Sequence, residues 1–216
     1  MIKAIIFDMD GVIIDSNSLH YNAWNSLFKT KFNVEIEKDF FASQLGKRAE
    51  HFTQALLDKY NIKGEDPNFL FKDKADFFNN YFDNLKLKHG VLESLNRIRD
   101  GYKIALATGG KRFFVNFLFN KFDLQKYFDF TITGDDVEHA KPNPEIFLKV
   151  AEKFLLQPEE CLVIEDAQMG LEAAKSAKMH CIVIPDELTK SQDFSKADKI
   201  LSSLDELSLD VINLIK

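Results

Sequence analysis

Residues 4–11 read Ala4-Ile-Ile-Phe7 and then Asp8-Met-Asp10-Gly11. Four consecutive apolar residues without polar alternation predict a short strand covered on both faces. The acidic, glycine-ended segment after it predicts a tight loop. The same pattern recurs at Lys103–Ala107 (KIALA), Phe130–Ile132 (FTI), Cys161–Ile164 (CLVI) and Cys181–Ile184 (CIVI), with a weaker sixth run at Lys199–Leu201. Between the runs, apolar residues fall at helical spacing: Phe114, Phe117 and Leu118, then Phe147, Val150, Ala151 and Phe154, then Leu171 and Ala174. Strands alternating with helices predict an α/β fold, a Rossmann-like, doubly wound parallel sheet.

Residues 16–86 interrupt that alternation, with helical stripes and no convincing buried strand. His20, Ala23, Trp24, Leu27 and Phe28 follow i, i+3, i+4, i+7, i+8 spacing. Phe52, Ala55 and Leu56 begin a second stripe. Leu70, Lys74, Phe77, Phe78 and Tyr81 form a third, with a turn at Gly64-Glu-Asp-Pro67. The expected organisation is an α/β core domain made of residues 1–15 and 87–216, with a helical cap domain inserted over 16–86. Asp15 and Ser16 form the hinge.

Composition narrows the class. A chain of 216 residues suits one large domain or a core with an insertion. A net charge of −6 argues against a nucleic-acid binder, which shows a basic face. It is compatible with an anionic substrate, because a bound metal supplies local positive charge. Cys161 and Cys181 sit in apolar runs at a spacing that fits no zinc motif, so both read as buried, reduced thiols. No apolar stretch reaches the length of a membrane span. Met1 leads straight into the first strand without a charged leader and cleavage site. A cytoplasmic location is the resulting expectation.

In open α/β sheets, ligands bind beyond the carboxyl ends of the strands. The polar residues at those ends here are Asp8, Asp10 and Gly11 after the first strand, and Thr108, Gly109 and Gly110 after the second. Glu165 and Asp166 follow the fourth, and Lys141-Pro-Asn-Pro144 opens a helix after the third. Clustered carboxylates repel unless a cation lies between them, and hard oxygen ligands favour magnesium. A carboxylate can act as a nucleophile and form an aspartyl-phosphate. A second carboxyl two residues on can protonate the leaving oxygen and then activate water. Gly11 permits a tight loop whose amides can face phosphate oxygens, and Thr108 and Lys141 can hold the others.

These four segments together, DxDGVI, T-G-G, K-P-x-P and E-D-x-x-x-G, resemble the signature of the haloacid dehalogenase superfamily in order and in strand context. The resemblance covers essentially the whole chain. It implies Asp8 as nucleophile and Asp10 as general acid/base, with the Asp10 carbonyl on Mg2+. It implies Thr108 and Lys141 as the phosphate-binding, charge-neutralising pair. Asp166 would be a direct metal ligand and Glu165 a neighbour of the metal. Asp10 also points away from carbon–halogen cleavage, since true dehalogenases of the superfamily lack that aspartate. The insertion resembles the helical cap of the phosphatase and phosphomutase branch, and DGVIIDS…LHYNAW is similar to β-phosphoglucomutase-like proteins, His20 and Trp24 included. Gly46-Lys-Arg48 resembles part of a cap loop that holds a substrate's distal phosphate. Against the mutase pattern, His51 stands where a serine is expected and Thr108-Gly-Gly replaces a serine-led motif. Lys72 and Lys74 both compete for a cap lysine.

Blander readings stand beside these. Thr108 could cap a helix, Lys141 could be a surface lysine, Trp24 could be core, and His20 could be a packed helix position. Asp135 and Asp136 read as a turn. The expected function is a magnesium-dependent phosphatase acting on a small phosphomonoester, with a sugar phosphate as candidate. Substrate contacts would come from Gly11, Gly109, His20 and Arg48. The alternatives are a phosphomutase and, in another class, a non-catalytic binder of phosphate ligands. The expected partner is a small phosphorylated metabolite, not nucleic acid or membrane, for a monomer or small homo-oligomer.

Overall fold

The first strand, β1 (Ala4–Phe7), lies inside a six-stranded sheet with neighbours on both sides. The computed structural model describes residues 1–47, 49–79, 81 and 84–215. After β1 come four helices, α1 (Asn17–Phe32), α2 (Lys38–Gln44), α3 (Ala49–Lys59) and α4 (Pro67–Asn79). The remainder alternates: α5 (Val91–Ile98), β2 (Lys103–Ala107), α6 (Arg112–Phe122), β3 (Phe130–Ile132), α7 (Glu145–Phe154), β4 (Cys161–Glu165), α8 (Gln168–Ser176), β5 (His180–Val183), β6 (Lys199–Ile200) and α9 (Leu209–Asn213). The strand order is β3-β2-β1-β4-β5-β6 and every pairing is parallel.

The continuous apolar runs are explained by what covers the sheet. Side chains alternate between faces along a strand. Ile5, Phe7, Ile104, Leu106, Leu162 and Ile164 join one buried cluster. Ala4, Ile6, Ala105, Ala107, Cys161, Val163 and Cys181 join the other. Both faces are therefore core, and each fully buried Ile or Phe stabilises the fold by roughly 1.5–3 kcal/mol. Both cysteines are free and buried, as their apolar setting implied.

Helices α1 to α4 close around an apolar cluster of their own, with Trp24, Phe28, Phe41, Phe52, Leu56 and Leu70 buried in it. Phe41 and Phe52 meet edge-on with ring centres 5.1 Å apart, a favourable aromatic geometry. α1 stops at Asn33, whose φ of 55° is the left-handed conformation that asparagine tolerates at a helix end.

The structure moves some boundaries. β4 runs on to Glu165, and β5 starts at His180 and ends at Val183. Tyr81 falls beyond α4. In α6 the buried face is Phe114, Val115, Leu118 and Phe119, while Phe117 is 37% exposed, so the expected grouping of Phe117 with Phe114 and Leu118 shifts round the helix. In a helix reading RFFVNFLFNKF, apolar side chains point almost everywhere and periodicity alone cannot choose the inner face. Among the described residues no helix is long and apolar enough to cross a membrane.

Candidate active site

Phe7, the last residue of β1, is level with Leu106 of β2 and with Ile164 of β4. The residues just beyond, Asp8, Thr108, Glu165 and Asp166, consequently emerge together at one carboxyl edge of the sheet, where the chain turns to strands on opposite sides of β1. Lys141 reaches the same point from the loop before α7. Its Nζ lies 2.6 Å from Asp8 Oδ1 and 2.6 Å from Glu165 Oε1, and donates to the Ala107 carbonyl oxygen at 3.3 Å. Asp8, Lys141, Glu165, Asp166 and Thr108 are all buried, which removes the surface-lysine reading of Lys141.

Carboxylate oxygens of Asp8, Glu165 and Asp166 lie within 4.8 Å of one another. Burial raises the Asp8 carboxyl to about 7, with the Lys141 charge pulling it down and the Glu165 and Asp10 charges adding to the rise. Asp166 is pushed well up by burial and by the charges of Glu165, Asp8 and Asp186. Burial alone would lower Lys141, but the Asp8 and Glu165 charges outweigh it and hold the ammonium above its ordinary value. Fully ionised, the three carboxylates would leave two negative charges beside the one ammonium in this buried site. One divalent cation matches that deficit, and an all-oxygen donor set fits magnesium. Glu165 is already engaged on both oxygens: Oε1 with Lys141, and Oε2 with the backbone N–H groups of Asp166 (3.0 Å) and Ala167 (3.2 Å).

Asp10 faces the inserted helices. Ser16 Oγ donates to its Oδ1 at 2.5 Å, and His20 Nε2 stands 3.6 Å from the same oxygen. Lys74 Nζ lies 2.6 Å from His20 Nδ1. While Lys74 is an ammonium it can only donate, so Nδ1 then accepts and Nε2 carries the proton that faces Asp10. Burial would raise Asp10, yet the nearby His20, the Ser16 hydrogen bond and the Lys74 charge hold it below its ordinary value. His20 is lowered by burial and by Lys74. His20 also stacks on Phe78 at 4.3 Å, so it is at once a packed helix residue and a neighbour of Asp10.

Lys74 is buried, with Nζ 4.2 Å from the centre of the Phe78 ring, and burial pushes it down to about 7 against the pull of Asp10. An unfolded lysine keeps its proton to about pH 10.4. Between about pH 7 and that value the unfolded chain holds more protons at this position, so folding stability rises with pH across the window. Lys74→Met removes this dependence. The Tm difference between variant and parent is expected to move in the parent's favour as pH rises from about 6 to about 10, and a pH-independent difference in thermal unfolding would contradict it.

Glycines shape the loops. Gly11 has φ 80°, and its N–H is taken up by the Ile14 carbonyl oxygen at 2.9 Å. What Gly11 contributes is space, since a Cβ there would overlap the Asp166 carboxylate. Gly109 lines the cleft with open space before it, and Gly110 N–H donates to Thr108 Oγ1 at 3.0 Å. A Cβ on Gly170 would overlap the Glu165 carboxyl group, so α8 can approach Glu165 only without a side chain at that position. This is a physical reason for the x-x-x-G spacing after Glu165-Asp166. Gly170→Ala is expected to push Glu165 off Lys141, costing about 1–3 kcal/mol of stability and roughly tenfold or more in turnover. Calorimetry and phosphate release read both, and parental values in both would mean the contact relaxes freely.

A cleft of about 440 Å³ opens over this edge, with Asp8, Asp10, His20 and Lys74 at one end and Trp24, Phe52 and Phe71 along the inserted helices. Trp24 belongs both to the helical core and to this wall. Lys74, not Lys72, faces the site, as Lys72 is exposed over Phe69. His51 is exposed and lines a neighbouring crevice with His139 and Asn143. Asp135 and Asp136 form a short 3-10 turn and pair with Lys111 and Arg112. Arg48 lies outside the described residues. Asn17 and Asp186, which the sequence reading did not single out, both hydrogen-bond in this cluster.

The haloacid dehalogenase-like hydrolase family model matches residues 2–178. The chain is 33% identical over 176 residues to the phosphorylated carbohydrates phosphatase of Thermotoga maritima, across 81% of this chain and 81% of that one. It is 27% identical over 178 residues to fructose-1-phosphate phosphatase YqaB of Escherichia coli, across 82% of this chain and 94% of that one. Among solved structures, β-phosphoglucomutase from Clostridium difficile aligns with a TM-score of 0.83 at 28% identity, covering 99% of this chain and 96% of that chain.

Proposed function

The chain belongs to the haloacid dehalogenase-like hydrolase family and is a phosphohydrolase, and on that premise we propose that it is a magnesium-dependent phosphatase for a small sugar phosphate, working through Asp8. The observation that carries the reading is the buried Asp8–Lys141–Glu165 array beside Asp166 at the base of the cleft. An Asp8 carboxylate oxygen attacks phosphorus as the ester bond to the leaving alcohol breaks; Asp10, a carboxylate in the free site but protonated in the substrate complex, gives that alcohol its proton. Asp10, now a carboxylate, takes a proton from water, which attacks the aspartyl-phosphate, frees inorganic phosphate and restores Asp8. Lys141 and Thr108 hold non-bridging oxygens of the transferring phosphoryl group. Magnesium, held by Asp8, Asp166 and the Asp10 carbonyl with Glu165 nearby, would neutralise charge on the transferring phosphoryl group. The inserted helices supply an aromatic wall, Trp24, Phe52 and Phe71, with Glu50 and Asn68 among the polar lining. Apolar faces for C–H groups and a few polar groups for hydroxyls suit a sugar. The names of the Thermotoga and Escherichia relatives support that substrate class.

The second reading is a phosphomutase, which the likeness to β-phosphoglucomutase supports. The same aspartyl-phosphate would then pass to a sugar hydroxyl instead of water. One experiment separates the two. The protein is incubated with Mg2+ and a panel of sugar phosphates that includes β-glucose 1-phosphate with a trace of glucose 1,6-bisphosphate, and free phosphate and isomerised sugar are both measured. Steady phosphate release without the bisphosphate is the expected result. Glucose 6-phosphate formed with little free phosphate would replace the phosphatase reading by the mutase one.

A further inference from the structure

Ser16 and Asn17 stand side by side at the start of the inserted helices, and each addresses a different acid. Ser16 Oγ donates to Asp10, whereas Asn17 Nδ2 donates to Asp166 Oδ2 at 2.8 Å. Asn17 Nδ2 also donates to Asp186 Oδ2 at 2.6 Å. A side-chain amide has two N–H bonds, and these two carboxylates use both. Asp186 is itself a fixed post, since its Oδ1 accepts from the backbone N–H groups of Leu188 (2.7 Å) and Thr189 (3.1 Å). Asn17 is 3% exposed. A Cβ on Gly11 would stand 2.6 Å from Asn17 Nδ2, so the loop leaves room for this contact as well as for Asp166.

Without the amide, Asp166 and Asp186 would face each other as like charges with no donor between them. We propose that Asn17 is a positioning residue of the metal site: it ties one oxygen of Asp166 to the pinned Asp186, so that Asp166 turns its other oxygen to the cation. This rests on the reading of Asp166 as a magnesium ligand. Outer partners that orient a ligating carboxylate change metal affinity by about 10- to 100-fold when removed. Because Asn17 begins α1, the contact also ties the first inserted helix to the metal site.

The test is a calorimetric titration of the full chain with Mg2+, for the parent, Asn17→Ala, Asn17→Leu and Asp166→Asn, beside the Mg2+ dependence of turnover. Leucine matches asparagine in shape but has no amide N–H, so it preserves packing where alanine leaves a cavity. Circular dichroism in EDTA reports folding. Both Asn17 variants are expected to raise the Mg2+ Kd about tenfold and to raise the Mg2+ needed for half-maximal turnover alike, while kcat at saturating Mg2+ falls far less. Asp166→Asn is expected to lose Mg2+ binding. Parental Mg2+ affinity in the folded Asn17 variants, with binding still lost in Asp166→Asn, overturns the inference alone. Undiminished binding by Asp166→Asn overturns the ligand assignment, and the inference with it.

Discussion

Asp8→Asn is expected to cut phosphate release by about four orders of magnitude or more while leaving the protein folded and no less stable. The amide keeps the size of the carboxyl group and can still accept from Lys141 through its oxygen, so packing at the end of β1 is undisturbed. It cannot attack phosphorus, because its oxygen lacks the charge and basicity of a carboxylate. Stability should not suffer, because Asp8 sits in a cluster with excess negative charge, where burial already raises it to about 7. In EDTA the variant's Tm should equal or exceed the parent's. That combination separates a chemical role from a structural one. Turnover within about tenfold of the parent would remove Asp8 from the nucleophile's position.

Lys141→Met is expected to damage both properties. The Lys141 ammonium lies 2.6 Å from Asp8 and from Glu165, with all three side chains buried. Removing one partner of a buried ion pair leaves its counter-charges without compensation, typically costing about 3–5 kcal/mol. For a chain of this size that corresponds to a Tm drop of roughly 6–20 °C. Turnover should fall by about 10²–10³ as well, because a positioned charge facing developing negative charge is lost. Differential scanning calorimetry and phosphate release measure the two effects. A drop in Tm with parental turnover would reduce Lys141 to a structural clamp.

Much of this was legible in the linear chain. The central strand runs AIIF, IALA and CLVI needed only their unbroken apolar character, because there the sheet is covered on both faces, whereas β3 (FTI) carries Thr131 between its apolar residues. The acids after those runs followed from the rule that the carboxyl edge carries the ligands. The elements that escaped were short. α2 buries little beyond Phe41 and Ala42, and α5 spans two turns with Val91, Leu95 and Ile98 inward, too little for periodicity to register against surrounding loops. Asn17 and Asp186 escaped for another reason. Neither residue type nor spacing links positions 17, 166 and 186, which meet only once α1, the end of β4 and the segment after β5 are in place. Gly170 lies between these cases. Its spacing from Glu165 was visible, but the reason, a carboxyl group packed where a Cβ would be, is three-dimensional. Which of Lys72 and Lys74 faces the cleft likewise depends on which side of α4 turns toward His20.

The position of β1 in the sheet also governs how this protein is made. β1 leaves the ribosome before the other strands, yet Ala4 pairs with Lys103 on one side and with Cys161 on the other. Both neighbours are synthesised long after it. For that interval the nascent chain carries an apolar strand with two vacant edges, the kind of segment that recruits foreign strands. The helices that follow β1 contact one another locally and can form while it waits, whereas the sheet closes only when β4 has emerged. A chain cut short before β4 would hold β1 with one edge open, and would also lack Glu165 and Asp166. Catalytic competence and escape from aggregation therefore arrive together, with the emergence of β4.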